Sequence, residues 1–299
     1  MKKKTPFYVK FLTIWLLCLT SCMGGCATIN FSQAKEVELL PRQAFVQIQQ
    51  SVELEGCGQD PETKESKCQK AIMRYVSSGA YVFHSEVSEG FSYALTAGHS
   101  CRSSIPKVQN INGYKVTNNG SVFTAVDLNG SRHDAEVVSI NSRFDLCLLR
   151  VSDVLGGPPT LKIAKKVPRR GELVTNMAAP HGLFWPGTVL LFKGIFSGYH
   201  TRGYSIYTIP TKPGSSGSPI LNDKNELIGV IFAGYSIIEN VGLSSPLVAI
   251  RVFLKKSIAK GEMELWEKSR KSSGTDRQTI IERSWMQKMK TKLSEVFGQ

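Results

Sequence analysis

Three kinds of residue in this chain could together carry out nucleophilic chemistry: a serine, a histidine and an acid. Ser216 stands in the segment PGSSGSP, residues 213–219, where glycines allow successive backbone N–H groups to converge on one point. Such convergence is what a serine nucleophile needs if an oxyanion is to be stabilised beside it. His99 follows the apolar run ALTAG, and Asp145 directly precedes the apolar run LCLLRV, residues 146–151. This pattern predicts that two strands position the histidine and the acid.

The order of these motifs along the chain resembles that of the chymotrypsin-fold (trypsin-like) serine peptidases, whose triad runs His, Asp, Ser. Four segments carry the resemblance: TAGHSC at 96–101, FDLCLL at 144–149, GSSGSP at 214–219 and ELIGVI at 226–231. In that order, they are similar to the family's Thr-Ala-Ala-His-Cys motif, its Asp-Leu-Ala-Leu-Leu element, its Gly-Asp-Ser-Gly-Gly-Pro motif and the strand that follows. The resemblance covers about residues 71–255.

The resemblance implies an all-β core of two six-stranded antiparallel β-barrels, followed by C-terminal helices, and the activity of a serine endopeptidase on polypeptide substrates. Ser216 would attack the peptide carbonyl, His99 would take its proton and return it to the leaving amine, and Asp145 would orient the imidazole. The N–H groups of Gly214 and Ser216 would form the oxyanion hole. No metal or organic cofactor is implied. The alternative is a catalytically silent barrel that serves as an envelope interaction module.

Two departures from the animal digestive members place the chain closer to bacterial HtrA-like and glutamyl-endopeptidase-like members. Ser215 replaces the Asp before the nucleophile, so activation by pairing with a new amino terminus is not expected, and Ser218 replaces the second glycine. No PDZ-like domain is expected after the barrels, although HtrA-like proteases usually have one. These differences concern activation and accessory domains rather than the three reacting side chains.

The resemblance also indicates where the pocket for the substrate's primary side chain would lie. Its floor would come from residues 209–213 and its wall from residues 232–234, and neither stretch contains Asp or Glu. Cleavage after Arg or Lys is therefore disfavoured, and a small or apolar primary residue is preferred. Lys212 and His200 leave open a preference for acidic residues, because a cation or an imidazole near the pocket could pair with a substrate Glu.

The amino terminus has the pattern of a bacterial export signal. Lysines at positions 2–4 and 10 precede an apolar stretch at 11–19, which is too short to span a bilayer. Residues 19–22, LTSC, resemble a lipobox, so Cys22 would be lipidated and would anchor the mature chain to a membrane. We expect a location in the bacterial cell envelope, facing the periplasm with the outer membrane favoured, or at the cell surface. Ordinary signal cleavage near residues 24–27 or an uncleaved anchor are the alternatives.

Seven cysteines fit an oxidising compartment. Cys57 and Cys68 flank a polar stretch and are predicted to close a small loop. Cys101 and Cys147 follow the predicted catalytic His and Asp by two residues each, so they could form a second bridge or remain two buried thiols. After removal of the signal and lipidation the count is odd, which predicts one free thiol. No spacing typical of a zinc site occurs.

The chain is predicted to divide into a lipoprotein-type signal at 1–21, a tether with a possible disulfide loop at 22–70, a peptidase domain at 71–255 and a basic helical extension at 256–299. Alternation and turn residues predict first-barrel strands at 81–83, 92–96, 121–127, 135–140 and 146–151. Second-barrel strands are predicted at 173–176, 188–199, 205–208, 219–221, 227–234 and 241–244.

Two helices are predicted after the barrels, at 247–260 and beyond a linker at 271–274. The second has apolar residues at every fourth position, at 281, 285, 289, 293 and 297, so it would dock on the barrel or bind a membrane surface or a partner. Residues 251–299 carry twelve Lys/Arg and six Asp/Glu, a large share of the formal net charge of +13. A basic tail on an anchored protein favours anionic headgroups, and nucleic acid is not expected.

Overall fold

The computed structural model describes residues 40–59, 65–103, 105–111, 114–154, 156–235, 237–273 and 279–297. The export signal, Cys22 and Cys26 therefore lie outside the described residues. The elements in chain order are β1 (Phe45–Gln59), β2 (Ser66–His84), β3 (Ser92–Ala97), β4 (Val108–Ile111), β5 (Tyr114–Asp127), β6 (Arg132–Asn141), β7 (Leu146–Val151), β8 (Leu173–Ala178), β9 (Leu190–Tyr199), β10 (Ser205–Tyr207), β11 (Pro219–Leu221), β12 (Leu227–Gly234), β13 (Gly242–Pro246), α1 (Leu247–Ser273) and α2 (Thr279–Phe297).

The first barrel closes through six antiparallel strands in the order β1-β2-β3-β7-β6-β5, with β5 pairing back to β1. β4 pairs with the first residues of β5 and lies outside this closed ring. β3 and β7 are buried along their whole lengths, which explains their nearly continuous apolar sequences. The predicted histidine lies in the turn after β3, and the predicted acid lies in the turn before β7. Two neighbouring, fully buried strands therefore position these two side chains.

The first barrel begins earlier than the sequence indicated. Residues 45–59 form β1, where a polar tether was expected, and Phe45, Val46, Ile48 and Val52 are buried. The intervening glutamines and glutamates made the segment look polar, but the glutamines at positions 47 and 50 are themselves buried. β1 is central, because β2 pairs along one edge and β5 along the other.

The second barrel closes in the order β10-β13-β12-β11-β8-β9. Each of the six predicted second-barrel strands has its counterpart here; two have identical boundaries, and those of the other four differ by at most two residues. The predicted architecture, two six-stranded antiparallel barrels followed by two helices, is therefore confirmed. The segment between β10 and β11 contains Ser216, so the second barrel supplies the predicted nucleophile.

Helix α1 starts directly after β13 of the second barrel and runs to Ser273, through residues predicted to be a linker. It packs on the first barrel through polar contacts. Tyr93 of β3 donates its hydroxyl to the buried carboxylate of Glu262 at 2.8 Å, and Lys260 Nζ donates to the carbonyl of Val138 at 2.9 Å. Arg150 of β7 donates to Glu136 at 2.6 Å and to the carbonyl of Gly261 at 3.4 Å. One helix thus ties the two barrels together.

Helix α2 packs against α1 and the first barrel, which is the docking that the sequence offered as an alternative to binding a membrane surface or a partner. Met289, Leu293 and Phe297 are buried, and Trp285 stacks on Trp266 of α1 with ring centroids 5.9 Å apart. Lys292 pairs with Glu86 in the turn after β2. Among the described helices, none is both long and apolar enough to cross a membrane.

Candidate active site

The predicted histidine lies in a short 3₁₀ turn, Gly98–Cys101, that ends β3. Its imidazole is half-exposed, and Nδ1 lies 2.5 Å from Oδ2 of Asp145, whereas Nε2 lies 2.9 Å from Oγ of Ser216. A carboxylate can only accept hydrogen bonds, so the proton of the neutral ring sits on Nδ1. Nε2 therefore offers its lone pair to the serine hydroxyl, which is the arrangement a general base requires.

Asp145 is fixed by two hydrogen bonds besides the one with the imidazole. Its Oδ1 accepts the backbone N–H of His99 at 2.7 Å, its carbonyl accepts the N–H of Gly98 at 2.8 Å, and its φ of 51° turns the carboxylate back towards the histidine. Gly98 makes this approach feasible, because a Cβ at that position would lie 2.8 Å from Oδ1 of Asp145. In this structure, the alanine of the family motif would require the Asp145 carboxylate to shift.

The nucleophile loop, residues 212–218, is held against the first barrel by one buried serine. The N–H of Ser78 in β2 donates to the carbonyl of Ser216 at 2.8 Å, and its Oγ donates to the carbonyl of Gly214 at 2.9 Å. The same Oγ accepts the N–H of Ala179 at 3.0 Å, and the Ser78 carbonyl accepts Oγ1 of Thr96 at 2.7 Å. Ser78 therefore links both barrels at the point where the three predicted side chains meet.

The backbone N–H groups of Gly214 and Ser216 are those that the sequence predicts to form the oxyanion hole. Among the described residues neither has an acceptor, whereas the N–H groups of Ser215, Gly217 and Ser218 donate to backbone carbonyls. The carbonyl of Pro213 accepts the N–H of His181 at 2.5 Å, so the planar peptide directs the Gly214 N–H away from His181. Two free donors beside the serine hydroxyl could stabilise a negative oxygen there.

The two serines that depart from the family motif both have partners. Ser215 is buried; its N–H donates to the carbonyl of Lys212 at 2.9 Å and its Oγ accepts the Lys212 N–H at 3.4 Å. Oγ of Ser218, also buried, accepts Nδ2 of Asn176 at 2.8 Å. The loop is therefore braced by neutral hydrogen bonds, without an ion pair at the residue before Ser216.

Two cavities flank Ser216. The Thr211 cavity, of about 370 Å³, is lined by residues of the predicted pocket floor and wall, among them Thr211, Lys212 and Gly234. The Tyr75 cavity, of about 290 Å³, is lined by Tyr75, Val76 and Ser77 of β2 together with His99 and Ser216. The cleft therefore has one side built by the second barrel and one side built by β2.

One side of the Thr211 cavity was not predicted from the sequence. Glu239, in the turn before β13, lies on its lining and pairs with Lys212 at 3.6 Å. His200 does not line this cavity; it lies in a separate one with Arg202 and Tyr204. Neither Glu239 nor Ser78 carries a recognisable motif, because both reach the site through tertiary packing. Alternation at residues 46, 48, 52 and 54 was the one signal that could have revealed β1 and its neighbour β2.

The predicted disulfide between Cys57 and Cys68 is present, and so is the second bridge, which was one of two alternatives for Cys101 and Cys147. Cys57 and Cys68 are directly opposite each other in the β1–β2 pair, with Cα atoms 4.1 Å apart. Cys101 and Cys147 are also bonded, so the turn that carries the histidine is covalently joined to β7, which follows the acid. The alternative of two buried thiols at 101 and 147 is therefore wrong. No group of His, Cys, Asp or Glu able to hold a metal occurs in the part of the chain that the structure describes.

Comparison with known proteins supports the same interpretation of the fold. Residues 77–230 match the family described as trypsin-like peptidase domain. The "Probable periplasmic serine endoprotease DegP-like" of Buchnera aphidicola subsp. Baizongia pistaciae is 29% identical over 132 residues, which cover 40% of this chain and 28% of the relative. The protein of the same description from Rhizobium meliloti (strain 1021) is 33% identical over 139 residues, 42% of this chain and 26% of the relative.

The "Serine protease Do-like HtrA" of Bacillus subtilis (strain 168) is 29% identical over 181 residues, which cover 53% of this chain and 39% of the relative. The chain thus spans about a quarter to two fifths of the length of these relatives. The crystal structure of the serine endoprotease from Yersinia pestis superposes with a TM-score of 0.52 at 19% identity, covering 76% of this chain and 67% of that one. This last similarity concerns the fold.

Proposed function

Because the chain belongs to the trypsin-like peptidase domain family, and because its three predicted side chains meet in one cleft, we propose that it is a serine endopeptidase. The observation that carries the proposal is the continuous chain of contacts from Asp145 through His99 to Ser216. Nε2 of His99 accepts the proton of Ser216 as its Oγ attacks a peptide carbonyl, and the imidazolium that forms is stabilised by Asp145. His99 then protonates the leaving amine, and water hydrolyses the acyl-enzyme by the reverse proton transfers.

The backbone N–H groups of Gly214 and Ser216 bind the oxyanion in this scheme. Their freedom from other acceptors among the described residues supports the assignment, and so does the tether from Ser78 to both carbonyls of the loop. A preorganised donor of this kind typically contributes about 3 kcal/mol of transition-state stabilisation. The buried Ser215 holds the loop in this form, so cleavage of a pro-segment is not required for activation.

A fluorophosphonate probe tests the proposal, because it reacts only with an activated serine. We expect the wild-type protein to be labelled, and Ser216→Ala and His99→Ala not to be. Ser152→Ala, at a serine that bonds Asp134 away from the cleft, is the matched control and should be labelled like wild type. Absence of labelling in a folded wild-type sample would refute the proposal and favour the catalytically silent interaction module.

For specificity we propose a small or apolar residue before the scissile bond. The Thr211 cavity is lined by the apolar residues Ile231, Ala233 and Ile238. Thr211 packs closely against the backbone on this lining, since a Cβ at Gly234 would lie 2.0 Å from its Oγ1. Lys212 is already paired with Glu239, which disfavours recognition of an acidic primary residue.

We further propose that the protein is exported and anchored by a lipid on Cys22. Support comes from the signal pattern at 1–22 and from the two cystines, which need an oxidising compartment. Two relatives are described as periplasmic. In cells fed an alkyne-tagged palmitate, the wild-type protein should be labelled and should partition into detergent, whereas Cys22→Ala should do neither. Equal labelling of Cys26→Ala serves as the control.

A further inference from the structure

The sheet edge that β2 presents beside the cleft is open. β2 pairs with β1 along residues 66–80, but its pairing with β3 begins only at Gly79. On the β3 side, residues 70–76 therefore have no strand partner among the described residues. This stretch is exposed on both faces, and Ile72 exposes 57% of its surface. Exposed, long apolar edges are uncommon in proteins, because they invite pairing with another chain.

The direction of the backbone groups on this edge follows from one residue. In an antiparallel pair each residue points both its N–H and its C=O to the same side, and successive residues alternate. Ser78 bonds Ser216 through its N–H and Thr96 through its C=O, so Ser78 faces away from β1. The β1–β2 register runs without a shift from Ala80 to Ser66. The even-numbered residues before Ser78 therefore face away from β1 as well.

A second observation gives the same parity independently. When two opposite residues of an antiparallel pair both point their backbone groups away from the partner strand, they form a non-hydrogen-bonded pair. The Cα atoms of such a pair are about 4.5 Å apart, compared with about 5.5 Å in a hydrogen-bonded pair. The Cα atoms of the paired Cys57 and Cys68 are 4.1 Å apart. Cys68 is thus in a non-hydrogen-bonded pair, as the parity of Ser78 requires. Lys70, Ile72, Arg74 and Val76 consequently present both of their backbone groups on the open edge.

The open edge is continuous with the cleft on the side where the leaving group must depart. His99 protonates the leaving amine, so the chain after the scissile bond lies on the His99 side of Ser216. The Tyr75 cavity is on this side, and Tyr75, Val76 and Ser77 line it together with His99. A substrate leaving this cavity passes Val76 first and Lys70 last. It therefore runs antiparallel to β2, which is the more stable orientation for strand addition.

We propose that the leaving side of the substrate polypeptide adds to β2 as an extra antiparallel strand, paired with Val76, Arg74, Ile72 and Lys70. This inference rests on the proposed endopeptidase activity. The occupant is recognised by its extended backbone, so the requirement concerns the length of unfolded chain after the cut rather than its sequence. The cystine at Cys57 and Cys68 joins β1 and β2 beyond this stretch, which keeps the edge preformed.

The test compares two internally quenched peptides whose sequences surround a site at which the protein cleaves denatured casein. Both share the sequence up to two residues after the scissile bond, and one continues for eight residues more. We expect kcat/KM for the long peptide to exceed that for the short one by about tenfold, since each added pair contributes backbone hydrogen bonds. In the long peptide, N-methylation at one alternating set of positions should abolish the gain, and N-methylation at the other set should not.

A pair of variants at one position separates backbone from side chain. Arg74→Pro removes an outward N–H and is compatible with an open edge, whereas Arg74→Gln keeps that N–H. The ratio of kcat/KM for long over short peptide should fall about fivefold in the first and stay within about twofold in the second. Far-UV circular dichroism and thermal unfolding check that each variant is folded.

Four results would overturn the inference. A wild-type ratio near one, with both peptides cut, would refute strand addition and leave the endopeptidase intact. Equal losses in Arg74→Pro and Arg74→Gln would assign the effect to the side chain. A dimer in light scattering that Arg74→Pro dissociates would make a second copy the occupant of the edge. If neither peptide nor casein is cut, the proposed function itself fails, and this inference fails with it.

Discussion

At the scale of single residues, the site depends on close approaches that leave no room for a methyl group. Gly98 is the clearest case, because Asp145 Oδ1 occupies the place where a Cβ would lie. We expect Gly98→Ala to displace the carboxylate and lower kcat/KM by roughly 10 to 100-fold, with little change in stability. Steady-state kinetics on a casein-derived peptide measure this. Gly56→Ala, whose new Cβ would only make an ordinary contact with Val116 at 3.8 Å, is the control.

Thr211 lies on the lining of the cavity that we propose as the primary pocket, so its truncation should change which peptides are cut. In Thr211→Ala the pocket lengthens by the lost Oγ1 and Cγ2, and the ratio of kcat/KM for a peptide with Leu over one with Ala before the scissile bond should rise by about tenfold. Two otherwise identical peptides give this ratio. An unchanged ratio would mean that Thr211 does not form the base of the pocket.

At the scale of elements, the two disulfide bonds close loops of different length, so their effects on stability can be compared within one protein. The chain-entropy estimate for the denatured state is about 4 kcal/mol for a loop the size of that closed by Cys101 and Cys147, and about 3 kcal/mol for one the size of that closed by Cys57 and Cys68. The first joins buried elements of the barrel, whereas the second joins an exposed ribbon. We therefore expect Cys101→Ala with Cys147→Ala to lower the Tm more than Cys57→Ala with Cys68→Ala.

Differential scanning calorimetry of the two double variants and of wild type measures this order. Labelling by the fluorophosphonate probe adds a second readout, because only the larger loop ends two residues after the histidine and two after the acid. Labelling by the probe should therefore weaken in the variant that lacks Cys101 and Cys147. The reverse order of Tm values would contradict the argument.

The elements that the sequence predicted well are those whose local pattern agrees with their environment. β3 and β7 are apolar throughout and buried throughout, and the nucleophile loop contains the glycines that its turn needs. β1 was not predicted, because its apolar residues are interrupted by glutamines and glutamates, and two of these, Gln47 and Gln50, are themselves buried. The bracing of the site by Ser78 could not be predicted at all, since it depends on which strand of one barrel meets which loop of the other.

At the scale of the whole molecule, α1 holds the two barrels in register through a buried acid. Burial raises the pKa of Glu262 above its usual range, and hydrogen bonds from Ser85, Glu86, Tyr93 and Val87 only partly oppose this. A carboxyl whose pKa is raised in the folded state favours folding when it is protonated. That contribution is present below the unfolded pKa of about 4.3 and is lost as the pH rises through the folded value.

The free energy of unfolding of wild type, relative to Glu262→Gln, should therefore be greatest near pH 4.5 and should decline towards pH 7.5. Urea denaturation at several pH values across this window measures the difference. Glu267→Gln, farther along the same helix, is the control for loss of a charge and should show no comparable trend. A difference that does not vary with pH would mean that Glu262 titrates alike in both states.

The bond between Cys101 and Cys147 also links assembly of the candidate site to the redox state of the compartment. Thiols of a newly made chain stay reduced in the cytosol, so the histidine and acid segments are then held together by non-covalent contacts alone. Oxidation completes the covalent frame around them. With the export proposed above, we therefore expect the site to be fully assembled only after the chain has left the cytosol.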